Sequence, residues 1–516
     1  MKQGWLVSLM KWLENKEGLG DQRPNSELPD APFGSDTREN CQRIARALNK
    51  PVDLIVEPLA GDPDGPRVLY FKSLVDPVSV QRDILRPLQM MRLQKGNSPA
   101  LFDLISMGEK KTADRLKDAL LLLLQGWTLV SQPKGRGFYA FNTESVQGRT
   151  IEKAENQSIV VGPQEAFSET LDLNLSLIRK RLRSPLLLME SMLIGQVTQT
   201  KMCILSLKGV TNDQYLKVIK ERIEKVDVDG LLDSGELAQL IDDQPLSPFP
   251  QLNYIERPDA AVAGLLSGKI IVMLDGTPYV LMGPSVFIEF FQSPEDYFNR
   301  WASTSLLRIL RIIGVSLSIT LSAIYVAILT YHYEIIPATM LKTIAQSRSK
   351  VPFPPVYEAM LLELILELLR EAGARLPTKV GQTMGIVGGI VIGQAAVSAG
   401  LTSNVMIIVV SLSALSSFIT PSYVMSNAVR VIRFPMIVLA GLWGFMGMFV
   451  GLVTIIIHLL NLSSLGAPYM SPFAPLRLAD LKDTLWRVPM QLLAYRPSFT
   501  KTKKDKSADM TTLKRK

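Results

Sequence analysis

The side chains that could do chemistry are densest in residues 351–379, VPFPPVYEAMLLELILELLREAGARLPTK. At 100° per residue, Glu363, Glu367, Arg370 and Glu371 share a stripe about 100° wide, with Leu361, Leu364, Ile365, Leu368 and Leu369 opposite. Carboxylates so arrayed at membrane depth, or at its edge, would line a wet path that draws in cations and replaces part of their hydration. The pattern also fits an amphipathic helix on a membrane surface, with Glu367–Arg370 and Glu371–Arg375 as solvated pairs. The residues leave both readings open. Pro355 is placed to start this helix, and Gly373 with Pro377 to end it.

Other chemistries find little support. The histidines are His332 and His458 and the cysteines Cys41 and Cys203, each pair far apart in sequence. This argues against disulfide frameworks, thiolate metal clusters and Ser/His/Asp or Cys/His catalysis. Reading Lys225 as the first position of a calcium loop puts Asp227, Asp229, Gly230, Asp233 and Glu236 at the third, fifth, sixth, ninth and twelfth positions. A lysine at the first position, however, brings a cation where an oxygen must coordinate. The run Gly108–Thr112 lacks the leading glycine of a phosphate loop, and Lys134–Gly137 reads as a hairpin turn. No enzyme activity, cofactor or resident metal is expected.

The elements that must position the stripe follow from where the apolar residues sit. Only 20% of residues are charged, against about 25% in soluble proteins, and mean hydropathy is positive. The excess is concentrated. Residues 312–331, 380–400, 401–420 and 434–460 are charge-free and apolar, each near the length of about 20 residues that crosses a bilayer. The fold class expected is a mixed α/β N-terminal region of two subdomains, followed by an α-helical multipass membrane domain. The boundaries are a tail at 1–34 with a possible amphipathic helix, α/β subdomains at 35–150 and 151–300, membrane helices at 301–465 including the charged helix 356–375, and a C-terminal segment at 466–516 ending in a disordered basic tail.

Within the α/β region, Val52–Val56, Arg67–Lys72, Leu186–Ile194 and Met202–Leu207 read as strands. Residues 127–131 with 137–142, and 270–274 with 279–282, read as hairpins. Helices are expected at 112–125, 164–183 and 212–225, the last capped by Asn212. Arg300, Arg308 and Arg311 precede the first span, and the chain ends in lysines and arginine. The positive-inside rule therefore places both termini in the cytoplasm, with Arg430 and Arg433 in conflict on the outer side. The +8 balance owes much to the basic tail, which suits anionic lipid rather than nucleic acid. Gly381, Gly385, Gly389 and Gly393 recur every four residues and offer a face for close helix packing; Gly444, Gly447 and Gly451 offer a second.

Several long motifs carry a family resemblance: FPQLNYIERPDAAVAGLLSGKIIVMLDGTPYVLMGP (249–284), SPEDYF (293–298), the 351–377 helix, GIVGGIVIGQAAVSAGL (385–401) and LGAPYMSPFAP (465–475). Together they resemble the A subunit of the GerA-type spore germinant receptors from about Thr37 to Arg487. Ser398 stands where that family often has an acidic residue, and Ala467 where it often has valine. The resemblance implies a multipass protein of the spore inner membrane, assembled with B and C subunits and sensing nutrients. It further implies self-association into an oligomer that conducts monovalent cations. A non-conducting scaffold that holds the B and C subunits is the alternative. In the conducting reading Glu363, Glu367, Arg370 and Glu371 line the ion path, and Gly381, Gly385, Gly389 and Gly393 pack helices.

Overall fold

The computed structural model describes residues 28–58, 66–93, 105, 109–132, 137–144, 154, 157–376, 389 and 391–506. The N-terminal helix considered at 1–34 up to residue 27, residues 380–388 and 390 of the span at 380–400, with Gly381 and Gly385 among them, and the last ten residues of the basic tail lie outside them. The chain divides into two compact units: 1–50 with 54–145, and 51–53 with 146–516.

The first unit is an antiparallel sheet with helices on it. Helix α1 (Thr37–Ala47) starts where the Asp36 carboxylate accepts from the Arg38 N–H. Strands β1 (Leu54–Pro58), β2 (Arg67–Phe71), β3 (Lys110–Ala113), β4 (Trp127–Ser131) and β5 (Phe138–Asn142) run in the order β1-β2-β4-β5-β3. Helix α2 (Leu116–Leu124) packs its leucines with Ile44 and Leu48 against Leu69, Leu129 and Phe138. The helix expected from 112 begins only at Leu116. Lys110–Ala113 instead pair with β5, because the apolar run that rewards helical packing starts at Leu116 and Arg115 stays extended.

The second unit builds a five-stranded antiparallel sheet, β6-β7-β9-β10-β8, from β6 (Leu187–Ile194), β7 (Thr200–Leu207), β8 (Asn253–Ile255), β9 (Ile270–Leu274) and β10 (Val280–Gly283). Helices α3 (Leu171–Arg181) and α6 (Pro258–Leu266) cover one face, with Leu205, Ile271 and Met273; α4 (Asp213–Glu224) and α5 (Ser234–Ile241) cover the other, with Ile204, Val272 and Leu281. Burial on both faces is why β7 and β9 read as unbroken apolar runs. Helix α3 begins later than expected, since Asn174 accepts from the Ser168 N–H and donates to its carbonyl, holding 168–170 as a loop. Arg179 of α3 is buried in an ion pair with Asp53 at 2.9 Å. The calcium-loop carboxylates serve local structure: Asp233 caps α5, Asp227 accepts from Gln196, and Glu236 accepts from the Leu232 N–H.

Helices then dominate: α7 (Trp301–Tyr331), α8 (Ala338–Arg348), α9 (Pro355–Arg375), α10 (Asn404–Ser417) and α11 (Tyr423–Asn461). By length and composition α7 and α11 could each cross a membrane. The 401–420 run yields only 14 helical residues, started by the Ser403 cap, about 21 Å of rise. Helix α9 continues past Gly373 to Arg375.

The span expected at 434–460 is not one straight rod. Gly444 has φ +59° and ψ −138°, and the chain reverses there. A Cβ on Gly451 would lie 2.5 Å from the Met436 sulfur, fifteen residues back and about 22 Å away in a straight helix. Residues 423–443 and 445–461 therefore form a helical hairpin. Its tip is closed by α7: the Tyr331 hydroxyl donates to the Leu442 carbonyl at 2.6 Å, and the Phe445 N–H donates to His332 Nε2 at 3.4 Å.

The other end meets the α/β part. Arg308 and Arg311 bind Asp296 at 3.0 and 2.8 Å, and Arg308 also binds Asp483. These two arginines are thus paired charges rather than free topology markers. After Asn461 the chain adds Leu465 and Ala467 to the α4/α5 side of the core, and Asp243 accepts from the Leu465 and Gly466 N–H groups. The C-terminal segment up to Lys506 is thereby part of the fold. Beside it, burial and the neighbouring Asp243 push Asp242 up to about 7, and its buried Oδ1 has no partner. A carboxyl that folding keeps protonated stabilises below its ordinary 3.8, and that stability is lost as pH rises through about 7. Thermal midpoints in detergent should fall by the equivalent of a few kcal/mol across that window, and Asp242→Asn should flatten the slope.

Candidate functional site

The site is built where α7, α9, α10 and the first arm of α11 meet. Helix α7 runs outward from Asp296, residues 423–443 run beside it in the same direction, and α9 and α10 run back. The pairs that fix these directions are Gly314 near Ile419, Tyr331 with Leu442, Val356 against Gly441, and Ser413 with Ser318.

Helix α9 is turned with its acidic side inward. Pro355, Glu358, Ala359, Leu362 and Glu363 are buried, whereas Tyr357, Leu361, Leu364 and Leu368 are exposed. This is the inverse of a helix lying on a water-covered surface. At the centre, Glu363 and Arg433 are 1% and 2% exposed and pair at 2.6 Å. Glu363 Oε1 accepts from the Ser322 hydroxyl at 3.0 Å, while Arg433 donates to the Ser318 carbonyl at 2.8 Å and the Ser318 hydroxyl at 2.6 Å. Both charges are paired and most of their remaining polar atoms are satisfied by α7. That is the condition under which a low-dielectric interior tolerates an ion pair.

Two further carboxylates flank this pair along α9, at about 7.5 and 6 Å of helical rise. Toward the Gly444 end, Glu358 Oε1 accepts from the Ser403 N–H at 2.6 Å, the Ser403 hydroxyl at 2.7 Å and the Thr402 hydroxyl at 3.0 Å, and Arg348 lies 3.6 Å from its other oxygen. Toward the opposite end, half-buried Glu367 pairs with Arg370 at 3.1 Å and Arg430 at 3.4 Å. The Arg370 guanidinium lies 4.9 Å from the Phe418 ring centroid. Each carboxylate faces an arginine: Glu358 with Arg348, Glu363 with Arg433, Glu367 with Arg430.

Of the four residues anticipated on the stripe, the structure brings Glu363, Glu367 and Arg370 to this face. Glu371 is exposed and pairs with Arg375 alone. Sequence reasoning misses Glu358, which falls outside the stripe, and takes Arg433 only as an outer-side charge in conflict with the positive-inside rule. The available signal was the position of Arg433 directly before the apolar run 434–460, since an arginine at the edge of a membrane-length segment calls for a buried partner. Among the described glycines of the proposed packing face, Gly389 is exposed and Gly393 half-buried, and a Cβ on either would meet nothing within 4 Å. No described part of this chain packs on them.

The family model described as Bacillus/Clostridium GerA spore germination protein matches residues 42–499. Spore germination protein GerQA of Bacillus cereus is 41% identical over 482 residues, covering 93% of this chain and 95% of that protein. Spore germination protein KA of Bacillus subtilis (strain 168) is 38% identical over 447 residues, covering 85% and 81%. A crystal structure of the N-terminal domain of the A subunit of the Bacillus megaterium spore germinant receptor GerK3 aligns at 28% identity and a TM-score of 0.40, with 51% of this chain and 100% of that chain covered.

Proposed function

Because this chain belongs to the GerA family of spore germination proteins, we propose that it is the A subunit of a germinant receptor, working with B and C subunits in the spore inner membrane without catalysing a reaction. In this reading residues 301–461 cross the bilayer several times. Helix α7 leaves the α/β part and residue 461 returns to it, which keeps both ends of the helical region on one side and suits two cytoplasmic termini. Arg433 no longer conflicts with that topology, because its charge is consumed by Glu363 inside the bundle.

The finer proposal is an oligomer that conducts monovalent cations along the inward face of α9. The observation that carries it is the orientation of that helix, with its acid face in the bundle and its leucine face outward. Cation entry requires the arginines to move off Glu363 and Glu367, so the paired arrangement corresponds to a closed state. Gly389 and Gly393, with open space above them, are available to a second copy. The same pairing also favours a second reading, a scaffold for the B and C subunits whose charges only hold helices together.

One experiment separates the two. Spores carrying Glu363→Gln and Glu367→Gln, together with Arg433→Met so that no buried charge is left without its partner, should hold folded protein near the parent level by immunoblot yet release K⁺ at least about tenfold more slowly after nutrient addition, since the carboxylates that would attract the cation are gone. Unchanged K⁺ release would remove the ion path and leave the scaffold.

A further inference from the structure

Helix α8 (Ala338–Arg348) is an 11-residue helix with no buried residue. Isolated helices shorter than about 12–15 residues are marginal in water, so something must lie against it. Around its axis Met340, Leu341, Ile344 and Arg348 share an arc of about 100°, and Thr339, Lys342 and Gln346 share the opposite side. Arg348 fixes which way the first face points. Its guanidinium reaches toward buried Glu358, so that face is directed at the helical bundle. Ile344, Ser347 and Arg348 are half-buried there, but Met340 and Leu341, one turn earlier, remain 57% and 41% exposed. The first half of α8 thus overhangs the bundle with its apolar side turned toward the depth of the other helices.

The approach to α8 identifies what lies beneath. The charge-free run of α7 ends at Tyr331, and Tyr331, Tyr333 and Ile335 are exposed in the few residues before α8 starts. Exposed tyrosines at the end of an apolar helix mark the level where hydrocarbon gives way to headgroups. We propose that α8 lies flat in the membrane–water interface, its Met340/Leu341 face resting on the acyl-chain boundary and Lys342 directed to the headgroups. This inference rests on the membrane reading given above. The occupant is lipid rather than a second chain, because the face is directed toward bilayer depth and continues the apolar exterior of α7.

Cysteine labelling tests this, since burial pushes both native thiols, Cys41 and Cys203, up to about 12 and leaves them protonated and shielded. An environment-sensitive fluorophore is placed by M340C, K342C or I456C, the last on the exposed side of the second hairpin arm, in the full chain reconstituted one copy per nanodisc. With lipid brominated near the top of the acyl chain, quenching at position 340 should exceed that at 342 by about threefold. Equal quenching at 340 and 342, or none at 340 while 456 is quenched, would overturn the interfacial placement alone. If 456 is not quenched by brominated lipid either, the membrane reading itself fails. Loss of quenching at 340 only in multi-copy discs would assign the face to a second chain and also overturn the proposal.

Discussion

Replacing Arg433 by methionine should cost about 3–5 kcal/mol, because it strands Glu363 as an unpaired carboxylate among helices that exclude water. The loss has a named origin. The Ser322 hydroxyl alone would remain to stabilise the anion, and the Ser318 carbonyl and hydroxyl would each lose a donor. Thermal unfolding of the purified protein in detergent should show a lowered midpoint, and the yield of folded protein should drop. Adding Glu363→Gln should recover most of the loss, since an amide carries no charge to be compensated. Arg433→Lys should fall between, because a single ammonium cannot serve Glu363 and both Ser318 acceptors with the planar fork that arginine supplies. Removing the exposed Glu371–Arg375 pair by Arg375→Met is the internal reference and should change the midpoint little, as solvated helix-surface pairs do. An Arg433→Met protein as stable as its parent would mean that water reaches Glu363, contrary to the packing seen.

The site shows what sequence can and cannot carry. The helical period placed Glu363 and Glu367 on one side of α9 and the leucines on the other, because that depends only on 100° per residue. It could not say which side faced inward. Amphipathicity is symmetric under exchange of water and lipid, and the orientation comes from Arg433 and Ser322, 70 and 41 residues from Glu363 along the chain. The strands were legible for a similar reason: β7 and β9 are apolar runs bounded by turns, and their register follows from two-residue alternation. Helix starts were less legible, as at Leu116 and Leu171, where neighbouring side-chain hydrogen bonds or strand pairing compete locally with the helix. The arginines illustrate a different limit. Counting Arg308, Arg311 and Arg433 as free charges ignores Asp296, Asp483 and Glu363, whose proximity only the tertiary structure reveals.

Gly447→Ala should open the helical hairpin, and it is the substitution whose steric consequence is hardest to avoid. A Cβ at that position would sit 2.0 Å from the Leu439 carbonyl oxygen, a backbone atom that no rotamer change can withdraw. Gly444→Ala adds a second route to the same failure. At φ +59° and ψ −138° the backbone occupies a region nearly closed to residues with a side chain, costing about 1–3 kcal/mol before any clash, and the new Cβ would approach His332 Nε2 to 2.8 Å. The alternative conformation is one continuous helix, which the unbroken apolar run between Phe434 and Leu460 would otherwise favour. Spin labels at the exposed positions Val431 and Ile456 distinguish the two states. Thirteen residues before and twelve after Gly444, they should lie across neighbouring helices with backbones about 10 Å apart in the parent protein. In a continuous helix the same 25 residues rise about 38 Å. Gly447→Ala should therefore shift the distance distribution toward the longer value, and a parent protein already showing about 38 Å would eliminate the hairpin. The pairing of Gly451 with Met436, and of the tip with Tyr331 and His332, makes the short distance the expected one, because those contacts exist only if the chain turns back.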